Sequence, residues 1–188
     1  MRLFIAIEID EQARRRLAEA SRRLRYLNAK ITWVAVENFH FTLKFLGETE
    51  ESKLESIQQA MQSVASAFEP IRCRLQGLGQ FPRVIWAGIH GETEQLSALA
   101  ARLDSELGSL GFATETRPFK SHLTLGRIKF VGDKEGLTRL LDSSKNEGFG
   151  DVRVENIHLF RSQLTPRGSI YTKLFTASLK GADHGHQN

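Results

Sequence analysis

The chain has 188 residues, 40% of them hydrophobic and 26% charged, with a formal net charge of +4 at pH 7. These are ordinary values for a soluble globular protein, enough for one well-cored domain or two lobes sharing a sheet, with a mild tilt toward anionic partners. Cys73 is the single cysteine, which excludes an internal disulfide and any C-x-x-C metal or redox motif. No stretch approaches the roughly 18–20 apolar residues of a membrane-spanning helix, and the apolar run before Asp10 is too short for a secretion signal, so a cytoplasmic protein is expected.

Leu3, Ile5, Ile7 and Ile9 alternate along a first strand, and Asp10 can cap the helix that follows. In that helix Ala13, Leu17, Ala20, Leu24 and Leu27 recur at helical spacing. Strands are expected from Ile31 to Val36 and from Asn38 to Leu46, then a helix from Thr49 with Leu54, Ile57, Met61, Val64 and Phe68 on its buried side. After Pro70 the pattern gives a strand to Leu75, a loop at Gly77-Leu78-Gly79, and a strand from Val84 to Ile89. Leu96, Leu99, Leu103, Leu107 and Leu110 mark a third helix stopped by Gly111. Extended chain over 114–129, a short helix over 133–144 and two strands over 149–179 complete the pattern. No Ser/Gly/Pro-rich linker divides the chain, so residues 1–180 are expected to form a single bilobed domain, with 181–188 a loose tail.

His40-Phe41-Thr42-Leu43 recurs 82 positions later as His122-Leu123-Thr124-Leu125. In a strand, residues two apart point to the same face, so each copy presents an imidazole beside a hydroxyl. Strict alternation puts Phe39, Phe41, Leu43 and Phe45 on one face of the first copy, and His40, Thr42 and Lys44 on the other. The second copy divides the same way, Phe119, Leu123 and Leu125 against Lys120, His122 and Thr124. One histidine beside a threonine is common in strands; two with the same parity point to paired acid–base groups.

Opening a cyclic phosphate with water needs a base for the water proton and an acid for the departing ribose oxygen. Imidazole titrates near pH ~6.5 and supplies both forms at neutral pH. Hydroxyls and cations stabilise the extra negative charge on the phosphoryl oxygens of the transition state. The strained ring makes a metal unnecessary, and no concentrated Asp/Glu/His metal site stands in the sequence.

Beyond the tetrapeptides, further segments carry a resemblance over nearly the whole chain. They include Arg2-Leu3-Phe4-Ile5-Ala6-Ile7, Trp33-Val34 and Glu37 to Gly47. They continue with Gly79-Gln80-Phe81-Pro82, Trp86-Ala87-Gly88-Ile89, Arg117 to Arg127 and Leu159-Phe160-Arg161-Ser162. On these residues the chain resembles the 2H phosphoesterases, and within them the RNA 2′,3′-cyclic phosphodiesterases, also called 2′-5′ RNA ligases. The resemblance implies an α+β bilobed fold, with two mainly antiparallel sheets lining a central cleft and helices outside. It implies hydrolysis of RNA 2′,3′-cyclic phosphate ends to 2′-phosphates without a cofactor, and reversible ATP-independent 2′-5′ ligation of tRNA halves. Carried over residue by residue, His40 is the proton donor, His122 the proton acceptor, and Thr42 and Thr124 bind phosphate. The near-symmetry of the motifs leaves donor and acceptor open on residue reading alone. Ser121 and Phe41 depart from the family's usual residues outside the catalytic pairs.

Four further residues are candidates around the same phosphate. Lys44 and Lys120 share the histidines' parity; Arg127 suits phosphate geometry, but strict alternation places it with Leu123 and Leu125. Only a bulge or a strand end would bring it round. Phe81 can stack on a base or anchor its loop. The arginines of the first helix read as a solvated face, and His90 and His158 as structural. The expected partner is RNA with a cyclic phosphate end, tRNA fragments included, acted on by a monomer with no membrane and no obligatory protein partner. The alternatives are the same chemistry on another cyclic phosphate or a 2′-5′ oligonucleotide, and a non-catalytic module that binds RNA ends.

Overall fold

The computed structural model describes residues 1–166 and 168–182. Nine strands and four α-helices follow one another as β1 (Arg2–Glu8), α1 (Glu11–Leu24), β2 (Ala29–Trp33), β3 (His40–Glu48), α2 (Leu54–Ala65), β4 (Ile71–Phe81), β5 (Val84–Gly91), α3 (Thr93–Ser109), β6 (His122–Val131), α4 (Lys134–Ser143), β7 (Gly148–Val154), β8 (Asn156–Thr165) and β9 (Gly168–Ser178). They build two antiparallel sheets, one in the order β3-β1-β8-β9 and the other β2-β6-β5-β4-β7. The first copy of the repeat lies on β3 in the first sheet and the second on β6 in the other. These two strands approach each other with Cα–Cα separations of 8 Å or less.

The apolar periodicity accounts for the layers. Asp10 accepts a hydrogen bond from the Ala13 N–H at 2.7 Å and starts α1, whose Ala13, Leu17, Ala20 and Leu24 are buried. Helix α2 packs on β8, β9 and α3; α3 lies against β3 and β4; α4 covers β4. Their apolar faces join β1, β4, β5 and β6 in one core containing Ile5, Leu17, Met61, Leu103, Leu123 and Leu159. On the opposite face of the first sheet Phe4, Ala6 and Phe160 form a smaller apolar cluster with Tyr171. That sheet is thus apolar at its centre on both faces, which explains why β1 reads as apolar at nearly every position.

Three local expectations are corrected. Gly77-Leu78-Gly79 is not a loop but lies within β4, where the ladder to β5 carries an extra residue. Gly77 takes a φ of +77° there, and a Cβ on Gly79 would fall 2.3 Å from the Trp86 ring. The expected strand start at Ile31 shifts back to Ala29, and residues 36–38 form a 3₁₀ turn leading into β3. The segment after Gly148 forms three strands rather than two, because Glu155 separates β7 in one sheet from β8 in the other. Of the expected tail, Gly181 and Ala182 continue the chain with the Ala182 N–H donating to the Leu179 carbonyl at 3.1 Å; residues 183–188 lie outside the described residues, as does Arg167.

Candidate active site

Both tetrapeptide strands break their alternation at the same place. In β3, Thr42 stands opposite Ala6 and Lys44 opposite Ile5, so Leu43 is an extra residue. In β6, Thr124 stands opposite Trp86 and Gly126 opposite Ile85, so Leu125 is the extra residue. Such a bulge leaves the residues before it undisturbed and reverses the faces of those after it. His40, Thr42, His122 and Thr124 therefore keep the half-buried polar face, while Phe41, Leu43, Leu123 and Leu125 are buried.

The reversal corrects the reading of Lys44. It turns to the core side, 2% exposed, and its ammonium donates to the Asp104 carboxylate and, at 2.5 Å, to the Ala113 carbonyl. Asp104 in turn accepts the Glu115 N–H at 3.1 Å. Lys44 is thus part of a buried ion pair that fastens 113–115 to β3 and α3, and it does not face the cleft. Phe45 takes the cleft side instead, 59% exposed, with its ring 6.2 Å from that of Phe4.

The same reversal rescues Arg127. It pairs with Val84 on one side and Thr32 on the other, and directly opposite residues share a face. Val84 alternates with Trp86, which stands opposite Thr124, so Arg127 shares the face of His122 and Thr124. Its side chain is exposed.

Each histidine is oriented from behind by a backbone carbonyl two residues earlier. His40 Nδ1–H donates to the Asn38 carbonyl at 2.6 Å, and Nε2 accepts from the Thr42 hydroxyl at 3.0 Å. His122 Nδ1–H donates to the Lys120 carbonyl at 2.7 Å. In each ring the bond at Nδ1 fixes the tautomer and leaves Nε2 as the nitrogen that is not tied to the backbone. His40 is flanked by Phe4 at 4.9 Å and by the edge of Tyr171 at 5.4 Å between ring centroids. His122 meets Phe81 edge-on at 5.1 Å, and the Lys120 ammonium lies 5.5 Å from the Phe81 ring centre. Phe81 and Lys120 thus belong to the wall beside His122. Burial holds the His40 imidazole below its ordinary 6.5, with the Arg14 charge acting the same way and the Asn38 carbonyl and Glu8 opposing it.

The face of His40 and Thr42 also carries a polar cluster around His158, a histidine that the sequence reads as structural. His158 Nδ1 lies 2.9 Å from the Thr176 hydroxyl, and its Nε2 lies 3.5 Å from Glu8. Lys173 donates to Glu8 at 2.6 Å. Glu8 stands directly opposite His40 in the β1–β3 ladder. The Thr176 partner comes from β9, so no i, i+2 signal in the sequence could reveal it. Burial pushes His158 down to about 4, with the Lys173 charge assisting and Glu8 opposing. Among the described residues, no group of three or more His, Cys, Asp or Glu side chains could hold a metal ion.

Two neighbouring strands from different sheets, each carrying one imidazole, one hydroxyl and a matching bulge, are the arrangement of a 2H phosphoesterase. The chain belongs to the LigT-like phosphoesterase family, whose pattern it matches over residues 7–86 and 89–171. It is 36% identical to an RNA 2′,3′-cyclic phosphodiesterase of Methanothermobacter thermautotrophicus over 93% of this chain and 96% of that one. It is 37% identical to an RNA 2′,3′-cyclic phosphodiesterase of Methanocaldococcus jannaschii over 91% of this chain and 96% of that one. Among solved structures it resembles TT0787 of Thermus thermophilus, with a TM-score of 0.80 and 32% identity over 97% of this chain and all of that one.

Proposed function

We propose that this protein hydrolyses RNA 2′,3′-cyclic phosphate ends to 2′-phosphomonoesters, with His40 as proton donor and His122 as proton acceptor. Water attacks phosphorus as His122 Nε2 takes its proton; the P–O3′ bond breaks, and His40 Nε2 delivers a proton to the departing 3′ oxygen. A 2′-phosphate and a free 3′-hydroxyl result, and proton exchange with solvent resets both rings. Thr42 and Thr124 hydrogen-bond the non-bridging oxygens, and Arg127 balances the charge that builds there. The observation that carries this reading is the duplicated strand, with its pair of ring-orienting carbonyls and its shared bulge, on two neighbouring strands of different sheets.

A donor must be protonated, and burial disfavours the protonated form of His40. The incoming phosphate supplies the missing term, because an anion beside a buried imidazole favours its charged form. Substrate thereby loads its own acid catalyst. A 5′-hydroxyl in place of water gives a 2′-5′ phosphodiester by the same bond changes, the ring strain replacing ATP, and tRNA halves fit this role. Phe81, with Lys120 over it, offers a stacking surface for the terminal base. The protein acts as a cytoplasmic monomer on RNA ends. No helix is long and apolar enough to cross a membrane among the described residues.

The test is incubation of a cyclic-phosphate-ended oligoribonucleotide with the protein in EDTA, followed by analysis of the phosphorylated product. A 2′-phosphomonoester is expected. An intact cyclic end would leave only an end-binding module, and a strict metal requirement would contradict the mechanism.

A further inference from the structure

A pocket of about 380 Å³ opens where the N-terminal half of α1 meets β4 and β7. Gln12 and Arg16, one turn apart on α1, line it together with Arg74 and Gln76 of β4 and Gly150 and Asp151 of β7. Both arginines are exposed. Among the described residues neither has an acidic partner within ion-pair distance, whereas the nearby Arg23 and Arg153 are held by Glu147 and Glu155. Asp151 is the pocket's one carboxylate, so its lining carries a net positive charge. Guanidinium groups left unpaired beside amide side chains match the oxygens of a phosphodiester.

Register places this pocket relative to the catalytic residues. His122 stands opposite Gly88, and His90, two residues along the same strand, stands opposite Arg74. Arg74 therefore shares the face of His122, two strands away. With ~4.8 Å between strands and ~3.4 Å per residue, the two Cα atoms are about 12 Å apart. That is within reach of a phosphate close to the reacting one along the same chain. Arg72 extends the same exposed face by two residues.

We propose that Arg16 and Arg74 form a subsite for the backbone phosphates of RNA upstream of its cyclic end. This rests on the proposed activity and deepens it: the cleft reads the cyclic terminus, and the arginine pocket reads the presence of a polynucleotide behind it. The basic first helix then contributes to recognition through Arg16.

The experiment compares a nucleoside 2′,3′-cyclic monophosphate with cyclic-ended oligoribonucleotides of two, four and eight nucleotides. Wild-type KM should fall with length. The Arg16→Gln, Arg74→Gln double variant should raise KM for the octamer about tenfold and leave mononucleotide kinetics unchanged, since a mononucleotide has no upstream phosphate to place at Arg16 and Arg74. Losing two phosphate contacts should also lower the slope of log affinity against log salt by about 1.4. Asp151→Asn should tighten octamer binding, a gain that a damaged fold does not produce. Unchanged octamer KM and salt slope in the double variant would overturn the proposal. So would a defect that depends on added inorganic phosphate and not on RNA length. If no substrate is hydrolysed, the activity reading fails by itself. Fluorescence anisotropy of a labelled octamer then decides the subsite, with weaker binding to the double variant supporting it and equal binding refuting it.

Discussion

The strands β3 and β6 carry the same tetrapeptide, the same carbonyl behind the imidazole and the same bulge after the threonine, yet they surround their histidines differently. His40 is packed against Phe4 and Tyr171 and hydrogen-bonded through Nε2 to Thr42. His122 has Phe81 at its edge, Lys120 and Arg127 on its side, and no partner for Nε2 among the described residues. The bulge repeats the geometry, while the residue that it turns to the cleft differs: aromatic Phe45 on β3, cationic Arg127 on β6. A duplicated backbone can thus place two equivalent groups while their surroundings divide the work between them. In the proposed mechanism the more buried ring, His40, is the acid and the more open ring, His122, the base.

The comparison breaks most visibly if either histidine is dispensable. His40→Ala and His122→Ala should each lower turnover by about 10²-fold or more, the scale of a lost general acid or base, measured as single-turnover rates. Full activity in either variant would remove the division of labour. Arg127→Gln should come next, cutting kcat by about 10²-fold with little change in KM, because its charge is needed as the phosphoryl oxygens gain charge. An effect confined to KM would make it a docking residue instead.

Lys44, the counterpart of Gly126 across the two bulges, should matter for stability. Lys44→Met leaves Asp104 without its buried cation and should cost about 3 kcal/mol in urea unfolding. A smaller effect, but one with a definite sign, comes from His158. Its folded value of about 4 lies below the ordinary 6.5, so the unfolded chain takes up a proton first as pH falls. Stability should therefore decline between pH 6.5 and 4, and His158→Gln should flatten that decline. The Glu8 carboxylate, lowered by the Lys173 hydrogen bond and by the His158, Lys173 and Arg14 charges against the opposing effect of burial, contributes only in a lower window, below its ordinary 4.5. A slope unchanged in the His158 variant would dismiss the histidine as its source.

Much of this was legible in the residues. Hydrophobic period located the four helices of the described residues, and i, i+2 parity put the His and Thr of each copy on one half-buried face. Parity misled only past Thr42 and Thr124, where one extra residue moved Lys44 inward and Arg127 outward. A bulge is decided by the neighbouring strand, and no local pattern encodes it unless a glycine marks it, as Gly126 does in only one copy. The Glu8–His158–Lys173–Thr176 cluster was invisible for the same reason. Its members come from three strands and meet only through sheet order.

The central proposal is that two imidazoles from separate sheets serve one phosphorus atom, and that the bound anion favours the protonated form of the buried ring, which takes its proton from solvent. Long-range ¹H–¹⁵N NMR of the histidine side chains at pH 7, during titration with a nucleoside 2′-monophosphate, tests it most directly. Both His40 and His122 should shift along one saturation curve, with His40 passing from neutral to protonated. A response from only one ring, or a His40 that stays neutral at saturation, would contradict the account.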